Sequence, residues 1–150
     1  MGYRVMLLDT HVLIWYLTGD PQLPQKLKEQ ITAEPLVYVS AAVIWEIAIK
    51  GSMGKLELGG KPINSTQTMD QIRQECIEQQ FLMLDINAAH AAAAPFLKGA
   101  HKDPFDRMLA AQAIQEAVPL VSADPVFDRM GVQRLWTGTT RRRTGAIIGT

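Results

Sequence analysis

The chain has 150 residues, 47% hydrophobic and 20% charged, a composition that suits one globular domain with a single sizeable core and argues against two. Fifteen basic and fifteen acidic residues cancel, so no global field draws it to nucleic acid or membrane, and any nucleic-acid contact has to be local. The one cysteine, Cys76, excludes a disulfide framework and a cysteine-rich zinc site, and fits a reducing cytoplasm.

Tyr3 to Leu8 is a continuous apolar run with little alternation, which predicts a strand buried on both faces of a parallel sheet. Asp9 stops it, too early for a signal peptide or a membrane span, so a cytoplasmic protein is expected. Asp9 or Thr10 can cap a short apolar helix, His11 to Leu17, and Gly19-Asp20-Pro21 turns the chain. Leu23, Leu27 and Ile31 recur every four residues in a surface helix over 22–33, and Leu36 to Val39 reads as a second buried strand. Ser40 then caps a helix from Ala41 to about Met53 that is apolar nearly all round, hence expected to be buried on most sides, with Glu46 in its middle.

Gly51 to Ser65 reads as a loop with a small ribbon. Thr68 to Gln79 reads as a helix with Met69, Ile72 and Cys76 on one face, and Phe81 to Leu84 as a third strand. Asn87 can cap an alanine-rich helix that Pro95 interrupts. Asp103 is a good N-cap, with Pro104 at the first helical position and Met108, Leu109, Ala111 and Ile114 spaced as a packed helix. Leu120 to Ser122 predicts a fourth strand, Asp124-Pro125 a helical turn ended by Gly131, and Val132 to Trp136 a fifth strand. Residues 137–150, with Arg141, Arg142 and Arg143, lack apolar periodicity, so the domain is expected over 1–136 and a flexible or partner-ordered tail after it.

Strands separated by helices imply an α/β fold, a three-layer α/β/α sandwich around a parallel sheet, in which ligands bind beyond the carboxyl ends of the strands. Asp9 and Asp124 each follow a strand, and Asp106 opens the helix leading to the fourth. Glu46 reaches that edge only if its helix leans over it. Each acid also has an ordinary reading. Asp9, Asp103 and Asp124 can be helix caps, Asp106 can complete a capping box, and Glu46 can pair with Lys50. Glu46 is the least well explained, because an unpaired carboxylate among Ile44, Trp45, Ile47 and Ile49 is expensive to bury.

Two carboxylates about 4 Å apart repel by roughly 4 kcal/mol at an effective dielectric near 20, so converging acids require protons or cations between them. Magnesium or manganese suits a carboxylate and water site, and such sites serve the attack of metal-activated water on a phosphodiester.

Four segments carry a resemblance: Leu7-Leu8-Asp9-Thr10-His11, Ser40-Ala41-Ala42-Val43-Ile44-Trp45-Glu46, His101-Lys102-Asp103-Pro104-Phe105-Asp106-Arg107 and Val121-Ser122-Ala123-Asp124. Together they resemble the PIN-domain family, and within it the VapC-type toxins, the ribonuclease halves of bacterial toxin and antitoxin pairs. The resemblance spans about residues 3 to 136. It implies a Mg2+- or Mn2+-dependent endoribonuclease hydrolysing RNA, usually a homodimer, inhibited by a small antitoxin protein. It makes Asp9, Glu46, Asp106 and Asp124 the catalytic acids. Asp9 and Asp106 would be the principal metal ligands, Glu46 and Asp124 would act through water or orient the nucleophile, and Asp103 would be an optional ligand. Thr10 and Ser122 would support them from behind.

His101 can be a general acid, a phosphate contact or structural, and Arg107 can touch RNA or pair with an acid. Trp15 and Trp45 suit a core or a dimer interface better than base stacking. Two other functions compete. An inactive PIN-fold binding module would keep the fold without the chemistry. A signalling receiver would need a phospho-acceptor, for which Leu84-Asp85 is the only candidate, and a late lysine, but no lysine follows residue 102.

Overall fold

The computed structural model describes residues 5–99 and 101–136. Tyr3 and Arg4 of the expected first strand lie outside the described residues, and so does the whole expected tail, 137–150, with its arginine run. In chain order the elements are β1 (Val5–Leu8), α1 (Thr10–Thr18), α2 (Gln25–Ala33), β2 (Leu36–Ser40) and α3 (Ala41–Ser52). A small hairpin of β3 (Glu57–Leu58) and β4 (Lys61–Pro62) follows, then α4 (Thr66–Glu78), β5 (Leu82–Leu84) and α5 (Ala88–Ala93). The chain continues through α6 (Pro104–Gln115), β6 (Leu120–Val121), a 3-10 segment (Pro125–Met130) and β7 (Arg134–Leu135).

The five longer-range strands form one sheet in the order β5-β2-β1-β6-β7, with every neighbouring pair parallel. Met6, Leu7 and Leu8 of the central strand are all buried although they point alternately to opposite faces, so helices cover the sheet on both sides. The expected α/β/α sandwich is the observed one. Leu13, Val39, Val43, Ile47, Leu109, Leu120 and Phe127 fill its two interfaces. Each such side chain contributes roughly 1.5–3 kcal/mol by leaving water.

The boundaries differ from the sequence reading where local chemistry intervenes. The helix over α2 starts at Gln25 rather than Gln22, because Pro24 occupies its cap position and disfavours helical backbone at Leu23. Ser65 and Thr68 form a reciprocal capping box, which starts α4 two residues early. The last strand is reduced to Arg134–Leu135. The expectation that α3 is buried on most sides is corrected: Trp45 is 60% exposed and Ile44, Ala48 and Ile49 are only half-buried, because α3 runs along the rim of the molecule.

Gly51, near the end of α3, lies directly against the segment after the hairpin. A Cβ at that position would stand 2.7 Å from Ile63 Cβ and press on the Ile63 carbonyl oxygen. Helix propensity alone favours alanine over glycine by about 1 kcal/mol, whereas overpacking a closed contact costs about 1–3 kcal/mol. Gly51→Ala is therefore expected to lower the urea midpoint of unfolding. A raised midpoint would mean that the α3–Ile63 contact yields freely.

Candidate active site

The strand order sets the site's position. From β1 the chain steps to β2 and β5 on one side, then returns to β6 and β7 on the other, so connections diverge from the gap between β1 and β6. That divergence opens a crevice at the carboxyl ends of the two strands. Asp9 stands directly after β1 and Ser122 directly after β6, and the Asp9 backbone N–H donates to the Val121 carbonyl at 3.1 Å. Asp9 caps α1 by accepting the Val12 N–H at 2.9 Å and also accepts the Ser122 hydroxyl.

Burial dominates the electrostatics of Asp9. It is 7% exposed, and loss of water raises its carboxyl from the ordinary 3.8 to about 6, against the lowering effects of Ser122, the Val12 N–H and His11. The charge of Asp106 pushes it further up. Asp106 is raised in turn, chiefly by burial and then by Asp103 and Glu46, while its hydrogen bond to His101 opposes the shift. Asp9, Asp103, Asp106 and Glu46 thus form one coupled group at the crevice.

Glu46 reaches it from the α3 helix and is fully partnered. Thr10 Oγ1 donates to its Oε1 at 2.6 Å, and Lys50 Nζ bonds its Oε2 at 2.6 Å. The hydrogen bond to Glu46 raises the Lys50 ammonium above its ordinary 10.5. The i,i+4 pairing and a place among the clustered acids therefore coexist in one residue. On the α6 side, His101 Nε2 bonds Asp106 Oδ2 at 2.7 Å, so Asp106 does not use its side chain in a capping box. Asp103 caps α6 through the Phe105 N–H at 2.9 Å. Ligand atoms of His101, Asp103 and Asp106 all lie within 4.8 Å of one another, and among the described residues this group of possible metal donors does not include Asp9, Glu46 or Asp124.

Asp124 is placed differently. It is exposed, and its Oδ1 caps the 3-10 segment through the Val126 N–H at 3.0 Å. It touches the crevice through Ser122, whose Oγ accepts the Asp124 N–H at 3.0 Å, so the same hydroxyl links Asp9 and the Asp124 backbone.

Two polar residues of α6 shape the surroundings in ways the sequence reading did not identify. Arg107 neither pairs with an acid nor faces outward. Its guanidinium donates to the carbonyls of Ala94, Pro95, Leu97, Gly99 and His101 at 2.6–3.3 Å, tying down the segment that carries His101. Gln112 is fully buried, accepts the Ser40 hydroxyl at 2.5 Å and donates to the Asp85 carbonyl at 3.3 Å, joining the ends of β2 and β5 to α6. An amide inside the apolar stripe between Leu109 and Ala113 was the available signal. Asp85 itself follows the edge strand β5, remote in strand order from the β1–β6 crevice, which removes the basis for a receiver-like phospho-acceptor.

The raised carboxyl of Asp9 links stability to pH. Between about 3.8 and 6 the folded chain keeps a proton that the unfolded chain has released, so this group's contribution is largest below 3.8 and falls away as pH rises to about 6. The loss is about 3 kcal/mol. Asp9→Asn, which keeps the capping oxygen, is expected to raise the melting temperature in chelator at pH 7.5 and to change it little at pH 4. An equal effect at both pH values, by calorimetry, would contradict a strained buried carboxylate.

The sequence matches the PIN domain family over residues 6–133. Among solved structures it is similar to a chain of VapBC2 from Rickettsia felis bound to a DNA fragment from their promoter. That match has a TM-score of 0.64 and 17% identity, covering 87% of this chain and 97% of that one. DNA-bound VapBC from Salmonella typhimurium gives 0.64 at 17% identity, covering 89% and 98%. Mycobacterium tuberculosis VapC20, a sarcin-ricin loop cleaving toxin, gives 0.55 at 12% identity, covering 85% and 95%. At these identities the likeness is one of fold. A comparison with curated proteins finds no match.

Proposed function

The chain belongs to the PIN domain family, and from that premise we propose that it is a Mg2+- or Mn2+-dependent endoribonuclease acting as the toxin of a toxin-antitoxin pair. The observation that carries the proposal is the gathering of carboxylates from separate segments: Asp106 raises the already buried Asp9, and Asp103 and Glu46 raise Asp106. Lys50 and His101 bond Glu46 and Asp106, yet Asp9 and Asp106 are still raised, and clustered carboxylates of this kind favour a hard cation with oxygen ligands. The carboxylate oxygens of Asp103 and Asp106, grouped with His101, suit such an ion, and Asp9 lies close enough to Asp106 to feel its charge.

In this reading Asp9 and Asp106 hold the cation, Glu46 and Asp124 reach it through water or orient the attacking water, and Asp103 is an additional ligand. When bound, the ion supplies positive charge that activates water and stabilises the phosphoryl oxygens during hydrolysis. The remaining work belongs to the chain. Thr10 and Lys50 hold the two Glu46 oxygens, so the carboxylate keeps one orientation. Ser122 holds Asp9, and His101, itself fixed at its carbonyl by Arg107, holds Asp106. The domain is proposed to occupy 1–136 with 137–150 as an appendage. A small antitoxin and a second copy of the chain are its proposed protein partners, in the cytoplasm. Among the described residues no helix is long and apolar enough to cross a membrane.

Asp9→Asn and Asp106→Asn are each expected to lower Mg2+-dependent cleavage of a structured RNA at least about 100-fold while the circular-dichroism spectrum is retained. Full activity in both purified variants would overturn the assignment. Metal binding is read separately by heat. At 100 times its dissociation constant an ion stabilises by about 2.7 kcal/mol, which raises the melting temperature by roughly 5–11 °C in a domain of this size. No shift at millimolar Mg2+ or Mn2+ would favour an inactive binding module.

A further inference from the structure

Lys50 stands one helical turn after Glu46 on α3, and its ammonium bonds Glu46 Oε2 at 2.6 Å. The two side chains are unequally covered: that of Glu46 is 7% exposed and that of Lys50 41%, so the ammonium lies on the solvent side of the buried carboxylate. An ammonium has three donors, and the Glu46 oxygen takes one of them. α3 and α6 meet nearby, where the rings of Trp45 and Phe105 make an edge contact with centroids 5.4 Å apart. Asp103 and Asp106 act on the Lys50 ammonium along with Glu46, so three carboxylates from two segments share the field of one accessible lysine.

A cluster of acids that is to receive a phosphodiester has to offset its own repulsion locally, because the chain's formal net charge is zero. Two other basic side chains near the acids are already engaged. Arg107 gives its guanidinium to backbone carbonyls, and His101 Nε2 bonds Asp106. Lys50 keeps spare donors and an open path to solvent. We propose that Lys50 binds the substrate strand: its ammonium, anchored on Glu46, donates a remaining hydrogen to a non-bridging oxygen of a phosphodiester at the crevice. This rests on the ribonuclease reading above. The competing role is pairing with Glu46 alone. Anchoring favours the phosphate contact, since a lysine already fixed on Glu46 has given up rotamer freedom before the substrate arrives and needs less ordering than a free surface lysine.

The test places Lys50→Gln in the full wild-type chain and in Glu46→Gln, where no buried carboxylate remains for Lys50 to serve. Binding of a fluorescent single-stranded RNA oligonucleotide is read by anisotropy in chelator, from about 50 to 200 mM salt. Lys26→Gln, at an exposed position of α2, is the control of equal charge change. In both backgrounds Lys50→Gln is expected to weaken binding about 3- to 10-fold at low salt. It should also make the slope of log affinity against log salt shallower by about 0.7, the loss of one phosphate contact on a single strand. Lys50→Arg is expected to keep both values, and Lys26→Gln to change neither. With Glu46 intact and Mg2+ present, Lys50→Gln is expected to raise KM by the same factor. Unchanged affinity and slope in the Glu46→Gln background, an equal loss in Lys26→Gln, or no RNA binding by any of these chains overturns the proposal. If Lys50→Gln is silent while the wild type cleaves RNA in Mg2+, the phosphate contact fails and the ribonuclease reading stands. If Lys50→Gln weakens binding while the wild type cleaves none, the ribonuclease reading fails and the phosphate contact stands.

Discussion

The burial of one carboxylate, Asp9, at the point where the strand order reverses is the constraint on which the rest of the site depends. The position is dictated by topology. Only between β1 and β6 do the chain connections part, and the residue that leaves β1 has to sit there. An acid in that place loses most of its hydration, and the hydrogen bonds from the Ser122 hydroxyl and the Val12 N–H, together with the field of His11, do not fully compensate. The deficit is sharpened by Asp106, which arrives from a helix nearly a hundred residues later. A structural cap alone would be better served by asparagine or serine, which satisfy the same Val12 N–H without charge. The charge at Asp9 therefore costs local stability.

The polar residues around it divide by what they hold. Thr10, Lys50, Ser122 and His101 bond to carboxylates and limit their orientations. Arg107 and Gln112 bond to backbone or to other polar groups and locate the segments from which the carboxylates project. The second group governs the first. His101 meets Asp106 because its carbonyl is fixed by Arg107, and α6 stands over the strand ends partly because Gln112 ties it to Ser40 and Asp85. Asp124 lies at the margin of this arrangement. Its carboxylate caps the 3-10 segment, and its link to the crevice runs through Ser122.

Much of the architecture was legible because its signals are local. Continuous apolar runs before Asp9 and Ser122, and between Pro35 and Ala41, mark buried parallel strands. Ser40, Asn87 and Asp103 announce helix starts, and each caps the helix that follows it. Boundaries were less legible where the deciding interaction lay in a neighbouring residue, as with Pro24 before α2 and the Ser65–Thr68 pair before α4. Exposure was least legible. The composition of α3 marks it as apolar, yet whether Trp45 meets a core or solvent depends on the helix's place at the rim, which periodicity does not contain.

What the sequence determined by itself is the succession of strands and helices, the α/β class and the set of acids at strand ends and helix starts. These follow from hydrophobic period, capping and the stopping of apolar runs, all of which act within a few residues. Only the tertiary structure decided that Glu46 is doubly partnered, that His101 and Asp103 draw close to Asp106, that Arg107 serves backbone carbonyls, and that Trp45 stands open beside Phe105. Those outcomes depend on which surfaces of α3 and α6 meet above the sheet. Packing across tens of residues fixes that meeting, and hydrogen bonds and Coulomb forces become decisive only after it has excluded water.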